Sequence, residues 1–472
     1  MRLTEPYKWL LWAVFAAASV GAALILAKLH DGVEAGSYEY VRKAQDLFDK
    51  GKTGESIRYM EKAYEASGDN KDIQANLINA YSAYSSELIR SGDHDKAVEF
   101  MQKAAEIRED RATMQNLAIA YSKRAVRSVK NKDLAGAKAD FENARNAASQ
   151  FEAASEDLAI SLFNDGAEEF RMDRADTAVL FLKESSLARE NPLTYRLLGN
   201  IYYKKTEYRK ARFYFGKALS ADPKDKAARR DLQKVTKEIR LSGREESRGL
   251  AHFELRYDKG ILVNADIVKE VMERCYADVG KDLGYYPGSK TVVFLYTQKD
   301  FRDIFKVSSM TRAFYDGNIR IPLPDTNLSK EEFSEYLYHE YTHAVVSALT
   351  ENNCTIWFNE GLAVRQMYKA REAALSGNLG RFIDKAEITI AALDNAFADR
   401  SGDEEKLGMY YLVAYTAVKY IVDSWGLEGI RSILKRIKSG QHVINAIDDE
   451  FLLSEKEFEK RWREYVAGKY LQ

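Results

Sequence analysis

From Trp9 to Ala27 the chain runs without a charge for about nineteen positions, close to the ~20 that an α-helix needs to cross a hydrocarbon core. Between Tyr38 and Asp222 the texture changes to helical spacing with small residues interleaved. Leu77 and Tyr81 precede Ala97 and Ala104, Leu117 and Tyr121 precede Ala137 and Ala144, and Leu158 and Leu162 precede Ala178. The period is about forty residues, with Gly51, Gly92 and the pair Lys132, Asp133 at the turns. The pattern predicts about five helix pairs over 38–222. After Gly249 the period shortens to two. His252 to Tyr257 alternates like a strand, Asp266 to Leu283 is helical, and Thr291 to Tyr296 reads as a buried strand. Ile319, Arg320 and Ile321 stop at Pro322, which predicts an edge strand, since proline cannot donate to a central ladder. Helices follow to the C-terminus.

The segment Tyr195 to Pro223 resembles the tetratricopeptide repeat at Tyr195, Leu198, Gly199, Tyr202, Ala211, Phe215, Ala218 and Pro223, with Tyr in place of the pattern's Trp. Upstream, seven more residues separate the first helix's aromatic from the second helix's alanine. Seven residues is close to two turns of 3.6, so the seam keeps facing its neighbour while the hairpin grows taller. The resemblance implies an α-solenoid whose concave face can take a protein partner, or which serves as a spacer. Residues 223–248 are rich in Lys and Arg with acids interspersed and read as a charged linker and capping helix.

The chain carries 71 Lys and Arg against 72 Asp and Glu, a net charge of −1, which gives no electrostatic argument for nucleic acid. Arg2 and Lys8 precede the first apolar run, while Asp31, Glu34 and Glu39 follow it. The charge asymmetry predicts a cytoplasmic N-terminus and a transmembrane anchor within 1–30, with everything after Lys28 exported. A cleavage site at Val20, Gly21, Ala22 is the alternative, and it exports the same residues. The expectation is a single-pass protein of a bacterial inner membrane with its bulk in the periplasm. Cys275 and Cys354 are too few for a disulfide framework and are expected as buried free thiols.

His339, Glu340, Tyr341, Thr342 and His343 form the spacing HExxH. On a helix, positions i and i+4 share a face, so both imidazoles can reach one metal while Glu340, one step round, points to its open side. Zn2+ in a catalytic site takes three protein ligands, and Glu360, within Trp357, Phe358, Asn359, Glu360, Gly361, is spaced to be the third. Glu340 is then the general base.

The two motifs together resemble the gluzincin metallopeptidases, in particular the peptidase MA-like group, over roughly the C-terminal half, 249–472. The resemblance implies an α+β catalytic domain: strands first, then the active-site helix, then a helical subdomain. The stretch from Tyr411 to Ile421 is similar to an aminopeptidase segment whose first Tyr donates a proton to the oxyanion, which puts Tyr411 in that role with Tyr410 and Tyr415 as competitors. The aminopeptidase segment G-x-M-E-N is absent, which points to an endopeptidase.

The whole reads as a mostly α protein: a transmembrane helix, a tetratricopeptide-like solenoid, then a zinc metallopeptidase acting on a protein or peptide. Ile319, Arg320 and Ile321 would bind that substrate as an added strand. The reading from a different class is a non-catalytic scaffold that keeps a structural zinc site.

Overall fold

Asn70, Asp93, Asp110 and Asp133 each turn a side-chain oxygen onto free backbone N–H groups of a following first turn, and so cut the N-terminal half into separate helices. The computed structural model describes residues 35–67, 69–261, 265–306, 313–323, 329–369, 389–398 and 404–470. Among them, five consecutive helix pairs precede the sheet: α1 (Ala35–Asp49) with α2 (Thr53–Ser67), α3 (Lys71–Ser91) with α4 (His94–Ile107), α5 (Arg111–Lys130) with α6 (Leu134–Ser149), α7 (Glu152–Arg171) with α8 (Ala175–Ala188), and α9 (Pro192–Lys204) with α10 (Tyr208–Ala221). The chain is mostly helical, with a repeat solenoid and, among the described residues, one small sheet.

The two added turns are visible in the first helix of the upstream pairs. α3, α5 and α7 have 21, 20 and 20 residues, against 13 in α9. Ala63, Ala104 and Ala144 are fully buried where helices approach, and Met60, Leu77, Met101, Phe141 and Phe181 fill the seam. In α9, Gly199 lies so close to α10 that a Cβ there would meet the Phe215 ring at 2.5 Å.

The chain divides into two compact units, and the fifth pair is shared between them: the first holds residues up to 170, 174–198 and 217–225, the second 171–173, 199–216 and 226 onward. In the second unit, α11 (Lys226–Ser242) occupies the segment expected as a charged linker and capping helix, and its Val235 and Glu238 are fully buried. Strands β1 (Glu245–Gly249), β2 (Phe253–Asp258), β3 (Thr291–Thr297), β4 (Phe314–Tyr315) and β5 (Ile319–Leu323) form a sheet of order β1-β2-β3-β5-β4. Pairing of β2 with β3 and of β3 with β5 is parallel; the two outer pairs are antiparallel.

Both faces of this sheet are buried, as parallel strands require. On one face Val293, Leu295, Ile319 and Ile321 pack with Met272, Cys275 and Val279 of α12 (Ala265–Leu283) and with Leu337, Tyr341 and Val345 of α14 (Lys330–Leu349). On the other lie Phe294, Tyr296 and Arg320, against Tyr203 of α9, Tyr208 of α10 and Glu238 of α11. Phe301 and Phe305 of α13 (Gln298–Phe305) close that layer. The remaining helices are α15 (Ile356–Tyr368), α16 (Ile390–Ala398), α17 (Glu404–Lys438, kinked at Gly426), α18 (Val443–Phe451) and α19 (Glu455–Tyr470). Cys275 and Cys354 are free thiols.

Two expectations are corrected. Ile319 and Arg320 are not at a sheet edge, because β4 pairs with both; no strand among the described residues pairs Ile321 on that side, and all three side chains are fully buried. Pro322 is tolerated because β4 pairs only with Ile319 and Arg320, so no second ladder reaches the proline. The single-pass membrane placement, with its periplasmic bulk, is not upheld either. No helix among the described residues is long and apolar enough to cross a membrane, the long ones α3, α5 and α17 being laced with charged residues; the run Trp9 to Ala27 lies outside the described residues.

Replacing Gly199 by Ala is expected to destabilise the protein by ~1–3 kcal/mol from overpacking against Phe215, even though Ala is the better helix former by ~1 kcal/mol. Urea denaturation checks this; a variant as stable as the parent would mean that the seam has slack at this position.

Candidate metal centre

α14 starts at a capping box: the Ser329 hydroxyl accepts from the Glu332 N–H, and the Glu332 carboxylate accepts from the Ser329 N–H. From that fixed start, the helix turns Phe333, Leu337, Tyr341 and Val345 into the core and brings His339 and His343 side by side on another face. α15 is held at both ends. The Asp394 carboxylate accepts from the Trp357 N–H in its first turn, and buried Asp282 accepts from Arg365, Gln366 and Lys369 at 2.8–3.0 Å near its last. These restraints set the rotation of α15 and aim Glu360 at the two histidines.

Nε2 of His343 lies 3.2 Å from Nε2 of His339, and the Glu360 Oε2 lies 3.5 Å from His339 and 3.4 Å from His343. These three are the group of described residues able to hold a metal ion. Ligands bound tetrahedrally to zinc at ~2.0–2.1 Å stand ~3.3 Å apart, so the triangle has the edge lengths that a zinc ion requires. The Glu360 Oε2 has no hydrogen-bond donor among the described residues although it is buried, which a cation at the triangle's centre would remedy.

The electrostatics are those of a site with charge to share. Burial alone would raise the Glu360 carboxyl, but His343 and His339 outweigh it and hold it far below the carboxylate range. Burial would lower His343, and Glu360 outweighs that in turn, pushing the imidazole up to about 9. Glu340 is buried beside them, and burial raises its carboxyl despite the two imidazoles and a hydrogen bond from the Tyr315 main chain.

The Asn359 amide oxygen lies 3.0 Å from Nδ1 of His343. Because that oxygen only accepts, it holds the proton on Nδ1, so Nε2 is the nitrogen that would give up its proton to take a metal. No role could be read for Asn359 from sequence, although it sits inside the motif; the signal was its position next to Glu360.

Tyr411, from α17, places its ring 6.4 Å from that of His339. Tyr415 is buried in the core, and Tyr410 and Tyr411 both pack on Phe397; of the three, Tyr411 is the one whose ring also lies against His339. α17 approaches because Gly361 has no side chain: a Cβ there would fall 2.4 Å from the Ala414 carbonyl oxygen. Ile319, Arg320 and Ile321 are not brought to the site surface; the sheet edge beside Glu340 is β4, whose Tyr315 also hydrogen-bonds Ser347 of α14.

The Peptidase MA superfamily model matches residues 309–468, and tetratricopeptide repeat models match 78–111 and 192–225. The chain therefore carries a Peptidase MA superfamily domain preceded by tetratricopeptide repeats. No curated protein matches it. Among solved structures, a thermophilic tetratricopeptide protein of Thermus thermophilus is 16% identical, covering 42% of this chain and 98% of its own, with a TM-score of 0.19. MamA of Desulfovibrio magneticus RS-1 is 16% identical over 42% of this chain and all of its own, at 0.23. YrrB, described as having an unusual peptide-binding site, is 16% identical over 42% and 97%, at 0.22. Likeness at such scores carries no argument here.

Gly361→Ala is expected to push α17 away from α15, costing ~1–3 kcal/mol of stability and separating Tyr411 from His339. Thermal denaturation checks it, and a melting temperature equal to the parent's would show that the helices tolerate the extra methyl.

Proposed function

We propose that the C-terminal domain is a zinc-dependent peptidase that cleaves internal bonds of a protein or peptide, with the repeats serving as a protein-interaction module. The observation that carries this reading is the triangle of His339, His343 and Glu360 at 3.2–3.5 Å with buried Glu340 beside it. His339, His343 and Glu360 would hold the metal, and Asn359 would fix the His343 tautomer. Zinc in such a donor set makes a water acidic near pH ~7 and polarises a carbonyl.

The chain's own residues do the rest. Glu340, with its raised carboxyl, takes the proton from the attacking water and passes it to the leaving amine. A buried carboxylate next to two imidazoles supports this over a structural zinc site, which needs no base. Tyr411 donates its hydroxyl proton in a hydrogen bond to the developing oxyanion. An extended substrate would lie along β4, which has β5 on one side only among the described residues, beside the Tyr315 N–H that Glu340 keeps. Docking of this kind reads the main chain on both sides of a bond and needs no free terminus. The missing G-x-M-E-N segment points the same way.

The double variant His339→Ala with His343→Ala is expected to lose nearly all of about one zinc per chain, measured by elemental analysis, and full retention would sink the assignment. Glu340→Gln should keep the zinc and lose peptide hydrolysis by several orders of magnitude, with Tyr411→Phe losing less. A Glu340→Gln protein as active as the parent on a peptide library would refute the base role. Asn359→Ala should weaken zinc binding by about 10–100-fold in a chelator competition, and unchanged affinity would remove Asn359 from the site.

A further inference from the structure

Arg320 is a charged residue in the middle of a strand and is fully buried, as is its partner Glu238. Its Nη1 lies 2.7 Å from the Glu238 carboxylate and also bonds the Tyr296 hydroxyl, while its Nε lies 3.0 Å from both carboxylate oxygens of Asp316. The rings of Phe294, Tyr203 and Phe305 close around the guanidinium at 4.8–5.2 Å. Glu238 in turn accepts from the Tyr203 hydroxyl at 2.7 Å. A guanidinium with two carboxylates and an aromatic box is locked in place, since leaving it unpaired out of water is far costlier than any gain from motion.

What this lock holds is the hairpin next to Glu340. Asp316 sits in the turn between β4 and β5, and Arg320 itself pairs with Phe314 across it. Gly317 takes φ +107 in that turn against the Lys204 side chain, and the Asn318 amide donates to the Lys204 carbonyl at 3.0 Å. The other arm of the hairpin ends in Tyr315, whose main chain hydrogen-bonds the Glu340 carboxylate and whose side chain bonds Ser347. The hairpin thus links Tyr203 and Lys204, at the end of α9, through Glu238, Arg320 and Asp316 to the neighbouring Tyr315, whose main chain meets Glu340.

We infer that Arg320 is a positioning residue for Glu340: with Asp316 it fixes the β4–β5 hairpin so that the Tyr315 N–H stays on the Glu340 carboxylate, and with Glu238 it ties that hairpin to α11 and to the last turn of α9. The inference rests on the reading of Glu340 as the base. It makes α11 and part of the last repeat working components of the site rather than a linker.

The test uses Asp316→Asn in the full chain, because the Asp316 side chain is partly exposed at a turn and its loss spares the buried pair. The expected result is kcat lower by about ten- to a hundredfold, with KM within about twofold of the parent, one zinc retained, and faster hydrogen–deuterium exchange confined to 313–323. Asn318→Ala, which frees the turn from Lys204, should act in the same direction but less. An unchanged kcat beside a loosened hairpin, or a parallel loss of zinc, KM and global stability, would overturn the inference. A second readout does not need turnover. Glu340→Gln weakens the acceptor and should by itself speed exchange at Tyr315, and adding Asp316→Asn should then change the rate by less than it does in the parent. Two effects that simply multiply would show that hairpin and base are not coupled, whether or not the parent cleaves peptides. A zinc-loaded parent inactive on every peptide would fail the proposed function alone.

Discussion

Two basic nitrogens and a carboxylate oxygen held within 3.5 Å of one another are the constraint around which the second unit is organised. An ionised carboxylate facing two imidazoles in a partly buried site needs a shared cation or a proton to satisfy it. Each surrounding element serves that convergence. The capping box fixes where α14 begins, Asp394 and Asp282 fix the rotation of α15, and Gly361 lets α17 approach closely enough to bring Tyr411 to His339.

The sheet contributes stiffness rather than ligands. It is covered on one face by α12 and α14 and on the other by α11 with parts of α9 and α10, so its central strands cannot shift without disturbing packed side chains on both sides. A charged residue in such a strand would ordinarily be a flaw. Here Arg320 is matched by Glu238 and Asp316, and the match decides where the β4–β5 turn sits.

Much of the site was legible because its chemistry depends on short spacings. Two histidines four apart on one helix and a glutamate in the next are local facts, and local periodicity survives folding. The helix pairs were legible for the same reason, down to the two added turns in α3, α5 and α7. What failed depended on distant partners. Arg320 reads as exposed because a buried guanidinium needs carboxylates that lie 82 residues before it and four residues before it, and only the fold brings all three together. Glu238 was lost in a run of lysines and arginines that reads as solvated. β4 has two residues, too few to show alternation, so the edge was assigned to the longer strand ahead of Pro322. The apolar run at the N-terminus, which lies outside the described residues, gave a membrane placement from local composition, whereas no helix among the described residues is long and apolar enough to cross a membrane.

The proposed catalytic zinc would be bound by two imidazoles and one carboxylate, with a position left open. X-ray absorption at the zinc edge of the purified full chain, with and without a peptide hydroxamate, tests this most directly. The predicted result is a shell of nitrogen and oxygen scatterers alone at ~2.0–2.1 Å, with the imidazole outer-shell signal of two histidines and a shell that changes when hydroxamate is added. Sulfur at ~2.3 Å, or a four-ligand shell indifferent to the hydroxamate, would contradict it.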